Sequence, residues 1–129
     1  MIQITPHIRI LVAIDPVDFR SGIDGLGRVC RAVLSEDPMT GTMFVFRSGS
    51  QMSIKLLTYD GQGFWLATKR MSFGKFRYWP TASDGANPAS RSLLAHEFHT
   101  LIWGGNPSLA HAAPMWRRIP LDPPGARPS

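Results

Sequence analysis

The basic side chains between residues 38 and 80 are the ones in this sequence whose type and spacing suggest a specific chemistry. That stretch carries six Lys and Arg residues against Asp60 alone, and the whole 129-residue chain has a formal net charge of +5. A positive field concentrated on one part of a chain favours a polyanionic partner such as nucleic acid. The alternative is that the cations only keep exposed strand faces soluble and strand edges unpaired. The candidate binding residues are Lys69, Arg70, Lys75 and Arg77, with Lys55 and Arg20 as secondary members.

Four short strands are predicted to position these cations, at residues 43–47, 52–58, 64–70 and 75–79. Aromatic and β-branched residues recur there with a period of two, and turn residues bound the segments. Asp60-Gly61 predicts a tight hairpin, and Gly74 predicts the next reversal. We therefore expect an antiparallel β-meander. Its Gly74 turn would bring four basic groups together, namely Lys69, Arg70, Lys75 and Arg77.

Aromatic residues are interleaved with the cations between Lys69 and Trp79. Such a surface could pair phosphates with basic side chains and stack aromatic rings on bases. The alternative is that the aromatic residues form the core face of the sheet. Period-two alternation predicts that position for Phe76 and Tyr78 at least.

The segments on either side of the meander predict one more strand and two helices. Residues 9–14 form a nearly continuous apolar run, typical of a strand buried on both faces. Residues 18–34 predict a helix capped by Asp18, with an apolar face made of Ile23, Leu26, Cys30, Val33 and Leu34. A second helix is predicted to begin at Asn87-Pro88 and to stop at Gly104-Gly105. The predicted fold class is therefore α+β, a small antiparallel β-meander with one helix before it and one after it.

Glycines at 22, 25 and 27 are unusual inside a predicted helix, because each costs up to about 1 kcal/mol relative to alanine. Close packing on the sheet would offset that cost. A helix N-terminus open to a phosphate, with Arg20 beside it, is the alternative.

The length of the chain fits a single domain, which we place at residues 1–105. Residues 106–129 hold six of the eleven prolines without any periodicity, which predicts a flexible Pro-rich C-terminal tail. The single cysteine excludes an internal disulfide framework and fits a cytoplasmic protein. No apolar run reaches the length of a membrane span, and the N-terminus lacks the basic leader of a signal peptide.

Motifs for catalysis are weak throughout the sequence. His96 and His99 do not form the H-E-x-x-H zinc signature, and we interpret them as part of a solvated helix face. Cys30 lies on an apolar helix face, where a thiol is usually inert. Asp15 and Asp18 are interpreted as turn and cap residues rather than metal ligands. We therefore expect no enzyme, no cofactor, no metal and no small-molecule substrate.

Five runs of residues follow a pattern known from one protein family. Residues 17–26, VDFRSGIDGL, are similar to Thr-Asp-Met-Arg-Lys-Gly-x-Asp-Gly-Leu. The others are DPMTGTMFVFR at 37–47, KLLTYDGQGFWL at 55–66 with Lys69-Arg70, GKF at 74–76 with Trp79-Pro80, and LIWGG at 101–105. Together they resemble the small accessory proteins, often called TnpB, that the second open reading frame of insertion sequence 66 family transposable elements encodes.

The sequence departs from this family at three points. Ser21 stands where a basic residue is usual, and Tyr78 lengthens the run to Trp79-Pro80 by one residue. Residues 48–53 lack the arginines typical of that loop, which weakens the case for DNA contact there.

The resemblance implies a role in DNA transposition, beside a transposase and a second small accessory protein of the same element. With the basic sheet, it leads us to expect a non-catalytic accessory protein that binds nucleic acid, with element-end DNA as the candidate ligand, or the transposase complex. The alternative is a protein-only adaptor of the transposase with no direct DNA contact.

Overall fold

The alternating and apolar segments of the sequence form one five-stranded sheet with a helix on each face. The structure is a computed structural model, and it describes residues 8–82 and 87–109. The strands are β1 (Ile10–Ala13), β2 (Met43–Arg47), β3 (Ser53–Tyr59), β4 (Phe64–Arg70) and β5 (Ser90–Leu93). The helices are α1 (Gly22–Ala32) and α2 (Ala95–Ile102), and 3-10 turns cover Phe19–Ser21 and Pro107–Leu109. The predicted α+β class is confirmed.

The strand order in the sheet is β4-β3-β2-β1-β5. Strands β2, β3 and β4 are three of the four strands predicted for the antiparallel meander, with the Asp60-Gly61 turn between β3 and β4. Strand β1 runs parallel to β2 and antiparallel to β5. All four residues of β1 are buried, which confirms the expectation from its continuous apolar run.

Each face of the sheet has its own hydrophobic core. The α1 face consists of Leu26, Cys30 and Leu34 packed against Leu11, Phe44, Phe46 and Leu57. The α2 face consists of Phe98 and Leu101 packed against Ile10, Val12, Val45 and Ile54, together with Phe76 and Trp79. Because both faces are covered, every residue from Met43 to Phe46 is buried.

The predicted strand at 75–79 is absent, since residues 75–80 have no regular secondary structure. Phe76 donates its N–H to the carbonyl of Gln51 at 2.8 Å, and its own carbonyl accepts from the Arg47 guanidinium at 2.8 Å. Phe76 and Trp79 are buried, whereas Tyr78 is 50% exposed. The prediction that Tyr78 belongs to the core face is therefore wrong, because the buried residues of this segment, Phe76, Trp79 and Pro80, do not alternate with exposed ones.

The predicted start of the second helix at Asn87-Pro88 is also wrong. The Asn87 side chain instead forms a local turn, accepting from the Ala89 N–H at 2.9 Å and donating to the Leu34 carbonyl at 2.8 Å. The chain then forms β5, and α2 begins only at Ala95, where the Glu97 carboxylate accepts from the Leu94 N–H at 2.7 Å. Gly104, with φ of 84°, follows the end of α2 as predicted.

The first helix is shorter than its predicted span. Asp18 caps the 3-10 turn, accepting from the Arg20 N–H at 2.9 Å, and α1 begins after it at Gly22, whose φ of 65° favours glycine. Ile23 and Val33 are 37% and 52% exposed, so the buried face is narrower than predicted. A Cβ at Gly27 would come no closer than 3.8 Å to the Arg31 guanidinium, so close packing does not require a glycine there.

Most of the predicted tail, residues 110–129, lies outside the described residues, so the division of the chain at Gly105 stays a prediction. Pro107, just after it, is buried. No helix within the described ranges is long and apolar enough to cross a bilayer.

Candidate functional site

Five of the six candidate cations lie at one end of the sheet, the end at which β1, β2 and β4 finish and β3 begins. The pairing of Arg47 with Ile54 and of Ser53 with Arg70 defines this end. A bridge between Val17 and Ser48 brings the 3-10 turn to it, and the Phe76–Gln51 hydrogen bond brings the segment after β4 to it. We call this set the basic end: Arg20, Lys55, Arg70, Lys75 and Arg77.

Arg70, Lys75 and Arg77 are three of the four exposed members of the basic end, Arg20 being the fourth. Within the described residues the ion pairs are Arg9–Glu36 and Arg20–Asp18, so none of these three has an acidic partner there. They are close in the chain and supplied by the end of β4 and the segment that follows it. This arrangement leaves their charge available to a ligand.

Lys55 and Arg20 are held by contacts within the fold. The Lys55 ammonium lies on the α1 face, 3.3 Å from the Phe19 carbonyl oxygen and 5.1 Å from the centroid of the Phe19 ring. The Arg20 guanidinium is exposed and pairs with the Asp18 carboxylate at 2.8 Å. The hydrogen bonds from Arg20 lower the pKa of Asp18 to about 2, so this pair is locally neutral. Both cations are therefore less available than Arg70.

Lys69 does not join the basic end, because its ammonium is held at the C-terminal end of α2, on the opposite face of β4 from Arg70. It lies with Ile54 on the α2 face, whereas Arg70 lies with Ser53 on the α1 face. The half-buried Lys69 ammonium donates to the Ile102 carbonyl at 2.6 Å and lies 4.5 Å from the centroid of the Trp103 ring. The expected grouping of Lys69 and Arg70 with Lys75 and Arg77 across a Gly74 hairpin is therefore wrong, because residues 75–80 form no strand and Lys69 binds the end of α2.

Arg47 is a cation that sequence reasoning did not select. Its guanidinium donates to the Phe76 carbonyl and lies 4.9 Å from the centroid of the Trp79 ring, while its Nε is buried without a partner among the described residues. Desolvation by burial lowers the pKa of Arg47. Arg47 thus fixes the segment after β4 to the sheet. The sequence signal for this role is the position of Arg47 directly after the apolar residues of β2, in a chain that carries Trp79 further on.

A recess of about 310 Å³ opens on the α2 face at the β5 edge. Arg77 and Arg91 line it from two elements, and Tyr78, Glu97 and Asn106 lie around it. We call it the Arg77–Arg91 recess. Arg91 was missed because β5 had been predicted as part of a helix.

Groups that could support catalysis are not assembled in the described part of the chain. No cluster of three or more His, Cys, Asp or Glu side chains able to hold a metal ion occurs there. His96 is half-buried and His99 exposed on α2. Cys30 is fully buried, and burial raises the pKa of its thiol to about 12.

The protein is a small α+β protein, and the exposed Arg and Lys side chains of its basic end are groups that can bind an anionic ligand. The chain belongs to the family described as IS66 Orf2 like protein, whose model matches residues 8–111. That family is associated with transposition, and its members are accessory proteins of insertion sequence 66 elements.

Two proteins of Sinorhizobium fredii (strain NBRC 101917 / NGR234) are similar to this chain. Uncharacterized protein y4jC is 40% identical over 97 residues, which is 73% of this chain and 82% of that protein. Uncharacterized protein y4hO is 33% identical over 111 residues, which is 86% of this chain and 90% of that protein. No solved structure matches the chain.

Proposed function

We propose that this protein is a non-catalytic accessory protein of DNA transposition that contacts nucleic acid through its basic end. The observation that carries the proposal is the exposure of Arg70, Lys75 and Arg77 without an acidic partner among the described residues. Their charge has no counter-charge among the described residues, and a phosphate backbone supplies one. The binding role of Lys55 and Arg20 is proposed as secondary, because each is already engaged within the fold.

Phe73 adds an aromatic contact to the same surface. It lies between Arg70 and Lys75 in the chain and is 88% exposed. An exposed ring between cations can stack on a base while the cations neutralise neighbouring phosphates. The contact should be largely independent of sequence, because phosphate contacts carry no base information.

The test is fluorescence anisotropy with a labelled duplex from the element end and an unrelated duplex of equal length, across a salt series. The three exposed cations without an acidic partner among the described residues should give a slope of log K against log salt of about −3, and the slope should approach about −4 to −5 if Lys55 and Arg20 also contact phosphates. The double variant Lys75→Ala with Arg77→Ala should reduce the slope by about two on both duplexes. Its stability should stay within about 0.5 kcal/mol of wild type, because both side chains are exposed.

The matched control is Arg28→Ala with Arg31→Ala, which removes two exposed cations from α1. This variant should keep the wild-type slope. An equal reduction of the salt slope in both double variants would show that binding responds to net charge alone and would contradict a contact at the basic end. Absence of binding at micromolar protein in low salt would refute direct DNA contact.

The second candidate function is a protein-only adaptor of the transposase. It is favoured by large apolar side chains on the surface, since Phe73, Trp103 and Leu109 are 88%, 78% and 70% exposed. The test is co-purification with the transposase of the same element after nuclease treatment. Retention of the complex without DNA, and its loss in Phe73→Ser or on deletion of residues 110–129, would support the adaptor.

A further inference from the structure

We propose that the Arg77–Arg91 recess binds one nucleotide of an unpaired DNA strand, with its phosphate on the two arginines and its base on the apolar floor. This inference rests on the proposed nucleic-acid contact and extends it to the opposite face of the sheet from Lys55 and Arg70. Arg91 lies opposite Val12 in the β1–β5 pair, so it projects on the α2 face. Arg77 reaches the recess from the segment that follows β4.

The floor and rim of the recess have different chemistry. The floor is apolar, and Trp79, Pro80, Leu93 and Pro107, which line it, are all buried. The Trp79 indole is fixed there, because its N–H donates to the Ala13 carbonyl at 2.9 Å. The rim carries the two exposed arginines and the half-exposed Tyr78. An apolar floor beneath a cationic rim suits a ligand that joins a flat apolar group to an anion.

The charge of the recess also favours a phosphate. Neither Arg77 nor Arg91 forms an ion pair with another described residue. Glu97, the acid that lines the recess, has one carboxylate oxygen occupied by the Leu94 N–H at the start of α2. Two cations against one acid leave a net positive charge. The second oxygen of Glu97 can accept from the exocyclic amino group of a base.

The size and shape of the recess discriminate between nucleic-acid forms. About 310 Å³ lies at the lower end of the range for small-ligand pockets, which is enough for one nucleotide unit. A duplex keeps its bases stacked inside, so it could offer phosphates to the rim but no base to the floor. An unpaired nucleotide can offer both. The carboxylate of an Asp or Glu side chain would satisfy the arginines, but it carries no flat apolar group for the floor.

The test compares a blunt duplex with the same duplex carrying a short single-stranded overhang, using the full-length chain and the variant Arg91→Gln. Arg91 lies outside the basic end, so the variant tests the recess separately from the basic end. We expect wild type to bind the overhang duplex more tightly than the blunt one. Arg91→Gln should weaken overhang binding by about tenfold, because one charge-assisted hydrogen bond to phosphate is lost. Its effect on the affinity for the blunt duplex should be less than about twofold, because a duplex has no unpaired base on the floor to hold its phosphate at the rim.

Arg28→Gln is the control, since it removes an exposed arginine from α1 and should change neither affinity. Two results would overturn the recess proposal while leaving the basic end intact. One is equal affinity of wild type for both duplexes, and the other is an equal loss of affinity for both duplexes in Arg91→Gln. If neither duplex binds, the proposed function fails. Titration with deoxyadenosine monophosphate, followed by the backbone amide NMR signals of residues 77–79 and 81, then tests the recess alone. Shifts there that Arg91→Gln abolishes would support it. The absence of shifts would refute it. Shifts of these signals with an acidic peptide, but none with the nucleotide, would also refute it.

Discussion

Replacement of Lys69 by methionine should destabilise the fold, although Lys69 was selected from the sequence as a binding residue. The ammonium donates to the Ile102 carbonyl at 2.6 Å, at the C-terminal end of α2, and lies 4.5 Å from the centroid of the Trp103 ring. Methionine keeps most of the apolar stem, so Lys69→Met removes chiefly the charge and the donor.

The expected cost follows from three overlapping contributions. A hydrogen bond that involves a charged group contributes about 1.5–3 kcal/mol, and a cation at a helix C-terminus contributes about 0.3–1 kcal/mol. A cation over an exposed ring contributes about 0.5–1 kcal/mol, and Trp103 is 78% exposed. Since these contributions share one ammonium and Lys69 is only half-buried, we expect a total near 1–2 kcal/mol. For a domain of about 100 residues this corresponds to a fall in Tm of about 5–15 °C.

The measurement is urea unfolding followed by circular dichroism, with Lys75→Met as the matched control. Lys75 is exposed, so its replacement should change the free energy of unfolding by less than about 0.5 kcal/mol. An unchanged urea midpoint in Lys69→Met, or an equal loss in Lys75→Met, would refute the structural role of Lys69. Weakened DNA binding by a Lys69→Met protein of wild-type stability would instead assign it to the binding surface.

Three further predictions concern side chains whose environments the fold defines. Phe76→Ala should cost about 3–5 kcal/mol in urea unfolding, because Phe76 is buried although its segment is not a strand, whereas Phe73→Ala should cost less than about 0.5 kcal/mol. The amides of Gly63 and Gln62 and the Trp65 indole donate to the Asp60 carboxylate and lower its pKa. The pKa of Asp60 is lower in the folded protein than in the unfolded chain. Wild type should therefore exceed Asp60→Asn in Tm by a constant margin above about pH 5, and the margin should shrink as the pH falls below about 4. A margin that grows on acidification would contradict this. Cys30 should resist iodoacetamide at pH 8 in the native protein and react once unfolded, because burial raises its pKa to about 12, and rapid native labelling would show that the thiol is accessible.

The parts of the fold that the sequence predicted are those in which local pattern and tertiary environment agree. β1 and β2 are apolar because both faces of the sheet are covered, and β3 and β4 are joined at the turn that Asp60-Gly61 predicts. β5, with the sequence SRSL, has no such pattern, because an edge strand pairs with one neighbour only and tolerates polar residues. The residues at 75–79 show the reverse case. Their aromatic-basic composition predicts a strand, yet the Arg47 guanidinium takes the Phe76 carbonyl that a neighbouring strand would need.

The candidate site was only partly predictable, because the charge of a stretch of sequence is not the charge of a surface. The six cations between residues 38 and 80 divide among different environments once the chain folds. Arg47 fixes the segment after β4 to the sheet, and Lys69 binds the end of α2, so neither adds exposed charge to the basic end. Arg20 comes to that end from a distant segment through the Val17–Ser48 bridge, which no local pattern reveals. The pairing of β5 with β1 places Arg91 on the α2 face, beside a recess that Arg77 also lines. Counting charges therefore finds the right region of the chain, whereas strand alternation and long-range pairing decide which cations can meet a ligand together.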